Sequence, residues 1–218
     1  DVNGTKQWIN IYGEDINNPV LLYLHGGPGS ATSEIDYAFT RKWADVYTVV
    51  TWDQRNCGKS YDAKQNDTVL TKELFMTDGK EVTEFIRNYL SKDKITILGH
   101  SWGSLYGANL VLEYPMYYEC FIGTGQLADY LENEEAFKKE AIAWADGDEE
   151  TLKQINQLTP NHVTMEHIVA RNTIMKKYGY DMMVNGSDYN LVATIIFNPN
   201  YSILDWINYF RRKAGVYL

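Results

Sequence analysis

The sequence predicts an α/β fold with a mostly parallel sheet, and three observations carry that prediction. Short apolar runs recur at Val20–Leu24, Tyr47–Trp52 and Ile95–Leu98. Their Val and Ile content and their lack of polar alternation suit strands buried on both faces. Each run ends in a loop rich in glycine and polar residues: HGGPG at 25–29, DQRNCGKS at 53–60 and GHSWG at 99–103. Helical patterns separate the runs, and parallel strands need crossovers of that kind.

Taken in order, Lys6–Tyr12 (KQWINIY) alternates weakly and is aromatic and β-branched enough to read as an early strand. Asp15–Pro19 is turn chemistry, and Ile35–Asp45 reads as a short helix. Leu70–Leu90 predicts a long helix with Phe75, Val82, Phe85, Ile86 and Leu90 at core spacing. The run at 95–98 leads through the glycine loop into a helix, Leu105–Tyr114, which Pro115 ends. Glu119–Gly123 is a further strand. From Asp129 the texture changes to successive helices at Tyr130–Trp144, Glu149–Leu158, Val163–Tyr178, Ser187–Phe197 and Ile203–Arg212, separated by Gly147, Pro160, Gly179, Gly186 and Pro199. The expected organisation is therefore an α/β core over 1–128 and a helical cap over 129–218.

Composition narrows the function. The chain has 218 residues, 44% of them hydrophobic, enough for a sizeable core. With 20 basic and 29 acidic residues the net charge is −9, which argues against nucleic acid or an anionic membrane as partner. No apolar run approaches a bilayer span. Cys57 and Cys120 show neither pairing nor metal spacing, so free thiols and a cytoplasmic setting are expected. Asn3, Asn66 and Asn185 begin glycosylation triplets, a pattern common by chance.

The stretch with chemistry in it is KITILGHSWGS at 94–104. G-x-S-x-G between a strand and a helix forms a nucleophile elbow, a turn tight enough to need glycine two residues to either side of the serine. It lifts the Ser101 hydroxyl above the sheet and aims the Trp102 N–H at a developing oxyanion. A second donor is expected from the loop after an early strand, here the N–H of Gly27, with Gly26 as the fallback. The bland alternative is a serine in an ordinary strand-to-helix turn. Two nucleotide-like motifs fail. Gly58-Lys59-Ser60 lacks the earlier glycine of a phosphate loop and has Asp53 in its place. Gly123-Thr-Gly-Gln-Leu-Ala128 imitates a dinucleotide fingerprint but opens onto Asp129, Glu132, Glu134 and Glu135, which would repel a pyrophosphate. Arg55 is expected to tie its loop to neighbouring carboxylates or carbonyls.

HGGPG at 25–29, WDQRNCGKS at 52–60 and GHSWGS at 99–104, in that order, resemble the proline iminopeptidase group of α/β-hydrolases. The resemblance covers most of 1–128 and implies an α/β-hydrolase fold with the block 129–218 as an inserted cap. It further implies Ser101 as nucleophile of an acyl-enzyme, an oxyanion hole from Gly27 and Trp102, and no cofactor or metal. The implied substrate is a small peptide or amide that loses an N-terminal residue, often proline. Two departures stand out. Asn56 replaces a glycine of the group's loop, and the group's tryptophan-rich cap segment ending in an amine-binding Glu has only a faint echo at Ala141–Asp146. Glu132, Glu134 and Glu135 read as a solvated helix face. An esterase or lactonase on the same scaffold, or a non-catalytic binding protein, are the rival readings.

A serine nucleophile needs a base, and in this fold the chain order is Ser, then Asp or Glu, then His. After Ser101 the histidines are His162 and His167, both in the helical block and read as packing or surface residues. His25 belongs to the glycine loop, and the His100 side chain is expected to point away from its neighbour Ser101. Asp129 follows the last strand but an acid without a histidine does little. The chain begins at Asp1 without an initiator Met and stops at Leu218. We therefore expect the C-terminal strands, with the triad Asp and His, to come from a missing segment or a second polypeptide, and the chain alone to be inactive.

Overall fold

Val20–Leu24 (β2) and Thr48–Asp53 (β3) are buried along their whole length, as unbroken apolar and β-branched runs require between two layers. In the computed structural model, which describes residues 1–158, 165–180, 194–195, 198 and 200–211, they join a five-stranded sheet. Its other members are Trp8–Tyr12 (β1), Ile95–His100 (β4) and Tyr118–Thr124 (β5). The order is β1-β3-β2-β4-β5, with β1 antiparallel to β3 and the other pairs parallel.

This order places a switch point at β2 and β4. The chain leaving β2 passes through Asp36–Thr40 (α1) to β3 on one side. The chain leaving β4 passes through Trp102–Glu113 (α3) to β5 on the other side. Connections that diverge from neighbouring strands leave a crevice at their carboxyl ends, where α/β proteins bind ligands. Leu24 pairs with Gly99 on one side and Trp52 on the other, so the three loops that follow start side by side.

Lys72–Tyr89 (α2) starts at Thr71, whose hydroxyl accepts the Leu74 N–H at 3.2 Å. It buries Phe75, Met76, Val82 and Ile86, followed by Leu90. Phe85, expected in the core, is 47% exposed and stacks on Tyr89. At 3.6 residues per turn it lies about 80° round the helix from the stripe through Phe75, Val82 and Ile86. α3 begins at Trp102, three residues before the expected Leu105, because the turn at Ser101 feeds straight into it. No described helix is long and apolar enough to cross a membrane.

Two compact units emerge, Asp1–Gln126 with Leu191–Val216, and Leu127–Asn190 with Tyr217–Leu218. The second contains Tyr130–Trp144 (α4), Glu149–Gln157 (α5) and Met165–Lys177 (α6) around Phe137, Ala141, Ala145, Ile155 and Ile174. Asp129 and Asp148 cap α4 and α5 by accepting the N–H groups of Glu132 and Thr151. Ile203–Arg211 (α7), which the sequence reading placed in the cap, groups instead with the first unit. Lys59 holds it there, donating to Asn200 O at 2.8 Å and lying 3.6 Å from Asp205. The helix expected at 187–197 and His162 lie, the former for the most part, outside the described residues.

Candidate active site

Ser101 sits between β4 and α3 at φ 52° and ψ −120°, a backbone region that non-glycine residues rarely adopt and that costs about 1–3 kcal/mol. Its surroundings hold it there. The Ser101 N–H donates to Thr124 O at 3.0 Å, and the Ser104 hydroxyl donates to Ser101 O at 2.6 Å. The flanking glycines are required by close approach. A Cβ on Gly99 would lie 2.2 Å from Gly103 O, and one on Gly103 would lie 2.1 Å from Leu24 O. Both clashes are with backbone, so neither can be relieved by a rotamer change. The result is an exposed serine at the carboxyl end of the central strands.

The loop after β2 borders it. A Cβ on Gly26 would lie 3.5 Å from Ser101 Cβ and from His100 O. Gly27 is exposed at φ 124°. Among the described residues, the N–H groups of Gly26, Gly27 and Trp102 enter no backbone hydrogen bond. His25, 1% exposed, closes the base of this loop. Its Nδ1 lies 2.8 Å from Gly26 O, and its Nε2 accepts the Gln54 N–H at 3.1 Å.

Gln54, the first residue after β3, is also 1% exposed, and the sequence reading assigned it no part. Its amide donates to His25 O at 3.3 Å and accepts from Trp102 Nε1 at 3.3 Å, joining the glycine loop to the first residue of α3. The signal that could have found it is positional: a polar residue at the carboxyl end of a strand beside the switch point. On one side Asp53 accepts from Ser33 Oγ at 2.6 Å and the Lys59 N–H at 2.7 Å. Burial pushes its carboxyl up to about 7, with those two hydrogen bonds opposing and Asp36 and Glu34 adding to the rise. On the other side Arg55 forks onto Asp78, 2.7 Å from each oxygen, and reaches the Val2 and Asn3 carbonyls. That is the structural role expected of it. Asn56, which departs from the glycine of the resembled group, takes φ 55°. Asn is among the few residues that tolerate this left-handed conformation, and its Oδ1 accepts the Asp62 N–H at 3.0 Å.

The structure does not bring a histidine to Ser101 among the described residues. His100 points its Nδ1 at Thr124 Oγ1, 3.1 Å away. His167 lies in the second unit, buried, with Nε2 2.8 Å from Glu134 Oε2. That contact also corrects the reading of the α4 acids. Glu132 and Glu135 are exposed, but Glu134 is 5% exposed and lies within 3.2 Å of Arg171 Nε as well as against His167. Asp129 serves as the α4 cap. No group of three or more His, Cys, Asp or Glu among the described residues is placed to hold a metal ion.

Comparison with known proteins bears on the family and the fold. A probable aminopeptidase of Bacillus subtilis is 35% identical over 135 residues, covering 61% of this chain and 42% of its own length. A proline iminopeptidase of Lactobacillus helveticus is 27% identical over 183 residues, covering 82% of this chain and 60% of its own. This chain thus spans about half the length of those relatives. Among solved structures, a proline iminopeptidase-related protein of Thermus thermophilus superposes with a TM-score of 0.54 at 19% identity, over 82% of this chain and 65% of that one. A Bacillus megaterium epoxide hydrolase gives 0.54 at 19% identity, over 97% of this chain and 70% of that one. At those identities the likeness concerns the fold alone. The model of the alpha/beta hydrolase fold family matches residues 19–167, and with the elbow at Ser101 standing at the switch point of its sheet, the chain belongs to that family.

Proposed function

We propose that this chain provides the nucleophile and oxyanion hole of a serine hydrolase of proline iminopeptidase type, which removes N-terminal residues from small peptides or amides. The observation that carries the reading is the strained, exposed Ser101 held beside Gly26 by glycines that admit no side chain. In this reading Ser101 Oγ attacks the substrate carbonyl carbon and gives its proton to a base. The N–H groups of Gly27 and Trp102, with Gly26 as the alternate donor, receive the charge that develops on the carbonyl oxygen. The tetrahedral intermediate expels the amine, which takes a proton from the base, and water later releases the acyl group by the same steps reversed.

We place the base and its acid in polypeptide outside the described residues, either a further segment of the same protein or a second chain. The exposed edge at β5 supports this. Among the described residues it pairs with β4 alone, and Glu119, Cys120, Ile122, Gly123 and Thr124 are exposed. An open strand edge is a template for another strand. Without a base, serine chemistry retains only what the oxyanion hole and binding supply. With both cysteines present as free thiols, we assign the protein to the cytoplasm.

One observation favours a second reading, an esterase or lactonase on the same scaffold. The amine-binding Glu that the resembled group carries at the end of its cap segment has only a faint echo in this sequence, at Ala141–Asp146. A fluorophosphonate probe tests the shared chemistry. Labelling is expected at Ser101 and is expected to disappear in Ser101→Ala, while an unlabelled wild-type protein carrying its C-terminal strands would leave only the non-catalytic reading. Comparing turnover of a proline arylamide with that of a short acyl ester then separates the peptidase from the esterase.

A further inference from the structure

We infer that Gln54 is a positioning residue for the oxyanion hole, acting through His25 to fix the direction of the Gly27 N–H. The inference rests on the reading of Ser101 as nucleophile and extends it to a residue that touches no substrate.

The argument starts from the imidazole. The Gln54 N–H can donate to His25 Nε2 only if that nitrogen carries a lone pair, so the ring proton of neutral His25 sits on Nδ1. The Nδ1–H then donates to Gly26 O at 2.8 Å. Gly26 C=O and Gly27 N–H belong to one planar trans peptide, in which the oxygen and the hydrogen point in opposite directions. Holding Gly26 O against His25 therefore turns the Gly27 N–H to the side away from the imidazole, where no backbone acceptor among the described residues takes it. A peptide between two glycines has little steric resistance to rotation about its flanking bonds. An unclamped Gly26–Gly27 unit would sample orientations that aim the N–H elsewhere. With Nε2 protonated instead, the Gln54 N–H and the ring N–H would oppose each other in a buried site, a costly arrangement.

The Gln54 side chain fixes the other half of the pair. It donates to His25 O, so His25 is held at both its ring and its carbonyl. It accepts from Trp102 Nε1, the side chain of the residue whose own N–H is the second proposed donor. One buried amide thus sets the spacing between the anchors of both oxyanion donors. Cys57, 1% exposed, donates to Gln54 O at 2.9 Å and lies with its Sγ 3.5 Å from His25 Nε2.

The test uses two variants on the full chain. Gln54→Leu removes both side-chain bonds, and Gln54→Glu keeps the acceptor for Trp102 while setting a carboxylate oxygen against His25 O. The first readout is the nitrogen NMR spectrum of His25, expected to show a protonated Nδ1 and a bare Nε2 in the wild-type chain. The second is the affinity for phenylboronic acid, whose tetrahedral adduct on a serine oxygen draws on the oxyanion donors while the hydroxyl proton passes to the buffer. Affinity is expected to fall at least tenfold in each folded variant. A residue that merely supports the fold would lower the melting temperature and leave the affinity of the folded fraction unchanged. A proton on Nε2, or boronate binding within twofold of wild type in either folded variant, overturns the inference. If boron NMR shows no tetrahedral adduct on wild-type Ser101, the nucleophile reading fails by itself. The tautomer of His25, and faster exchange of the Gly27 amide proton in the variants, then still decide whether the clamp exists.

Discussion

Among the described residues, the polar groups of the two units find different kinds of partner. Around Ser101 the partners are mostly main chain: His25 takes the Gln54 N–H and faces Gly26 O, and Asp53 takes the Lys59 N–H. In the second unit they are mostly charged side chains: Glu134 against His167 and Arg171, and Asp148 against Lys177 and the Tyr178 hydroxyl. Only the cap on Thr151 brings Asp148 a backbone donor. Main-chain partners transmit their constraint to backbone conformation, and backbone conformation restricts which residue types can occupy a position. Side-chain partners can be replaced by other pairs of similar reach. The first arrangement therefore marks its sequence with Gly, Asn and Ser at fixed spacing, and the second leaves little mark.

The largest expected effect comes from comparing one glycine of each unit. Gly103→Ala would put a methyl 2.1 Å from Leu24 O, inside the core and against backbone. We expect it to destabilise by on the order of 3 kcal/mol or more, the upper range for overpacking. Gly147, between α4 and α5, has φ 78° with nothing within 4 Å of the added carbon. Gly147→Ala carries only the left-handed backbone penalty of about 1–2 kcal/mol. Urea unfolding followed by circular dichroism measures both. Equal losses would mean that the elbow relaxes around a methyl, and the contrast between the units would fail.

The same difference explains what could be read from the sequence. The elbow and the glycine loop were legible because a Cβ on Gly99, Gly103 or Gly27 would run into backbone. The strands were legible because continuous burial demands continuous apolar residues. Gln54 was not legible, since a glutamine in a polar loop looks solvated until the sheet order brings His25 and Trp102 to it. Glu134 was misread for the mirror reason. Its partners, His167 and Arg171, come from a different helix more than thirty residues away, and no local spacing announces them. Phe85 shows the limit of periodicity, since a residue at the margin of a stripe can lie on either side of it. The grouping of α7 with the first unit depends on Lys59, a contact across 146 positions to Asp205 that helical texture alone does not encode.

Titration should separate Asp53 from Asp148 by sign. Burial raises the Asp53 carboxyl to about 7, above its ordinary value of 3.8. A raised acid stabilises the fold fully below its ordinary pKa and loses that contribution as pH climbs through its folded pKa. Asp148 behaves oppositely. Lys177, then the Thr151 N–H and hydroxyl and the Tyr178 hydroxyl, hold its carboxyl well below the usual range, so its contribution is present at neutral pH and is lost only in acid. Stability should therefore decline between pH 4 and 7 through Asp53, and Asp53→Asn should flatten that decline. A residual slope of the same sign is expected from Asp36, which burial also raises. Asp148→Asn should leave the window from pH 4 to 7 unchanged and remove a loss seen only below it. Urea midpoints across pH measure both, and an unaltered slope in Asp53→Asn would show that its carboxyl does not titrate in that window.

The smallest expected effect concerns Asn56, where the chain departs from the resembled loop. Asn56→Gly removes a left-handed penalty but also the acceptor for the Asp62 N–H. Each is worth roughly 1 kcal/mol with opposite sign, so we expect a net change within about 0.5 kcal/mol. Asn56→Ala keeps the penalty and loses the acceptor, and should cost about 1–2 kcal/mol by the same reasoning. Thermal unfolding of the two variants side by side measures the difference. A large loss in Asn56→Gly would mean that the side chain, with its second bond to Asn66 at 3.3 Å, matters more than the backbone. That would place a side-chain-held loop inside the unit where backbone otherwise sets the geometry. A near-zero change would show that Asn and Gly are interchangeable solutions to one φ angle, which is why the departure leaves the neighbouring Gln54 and Arg55 in place.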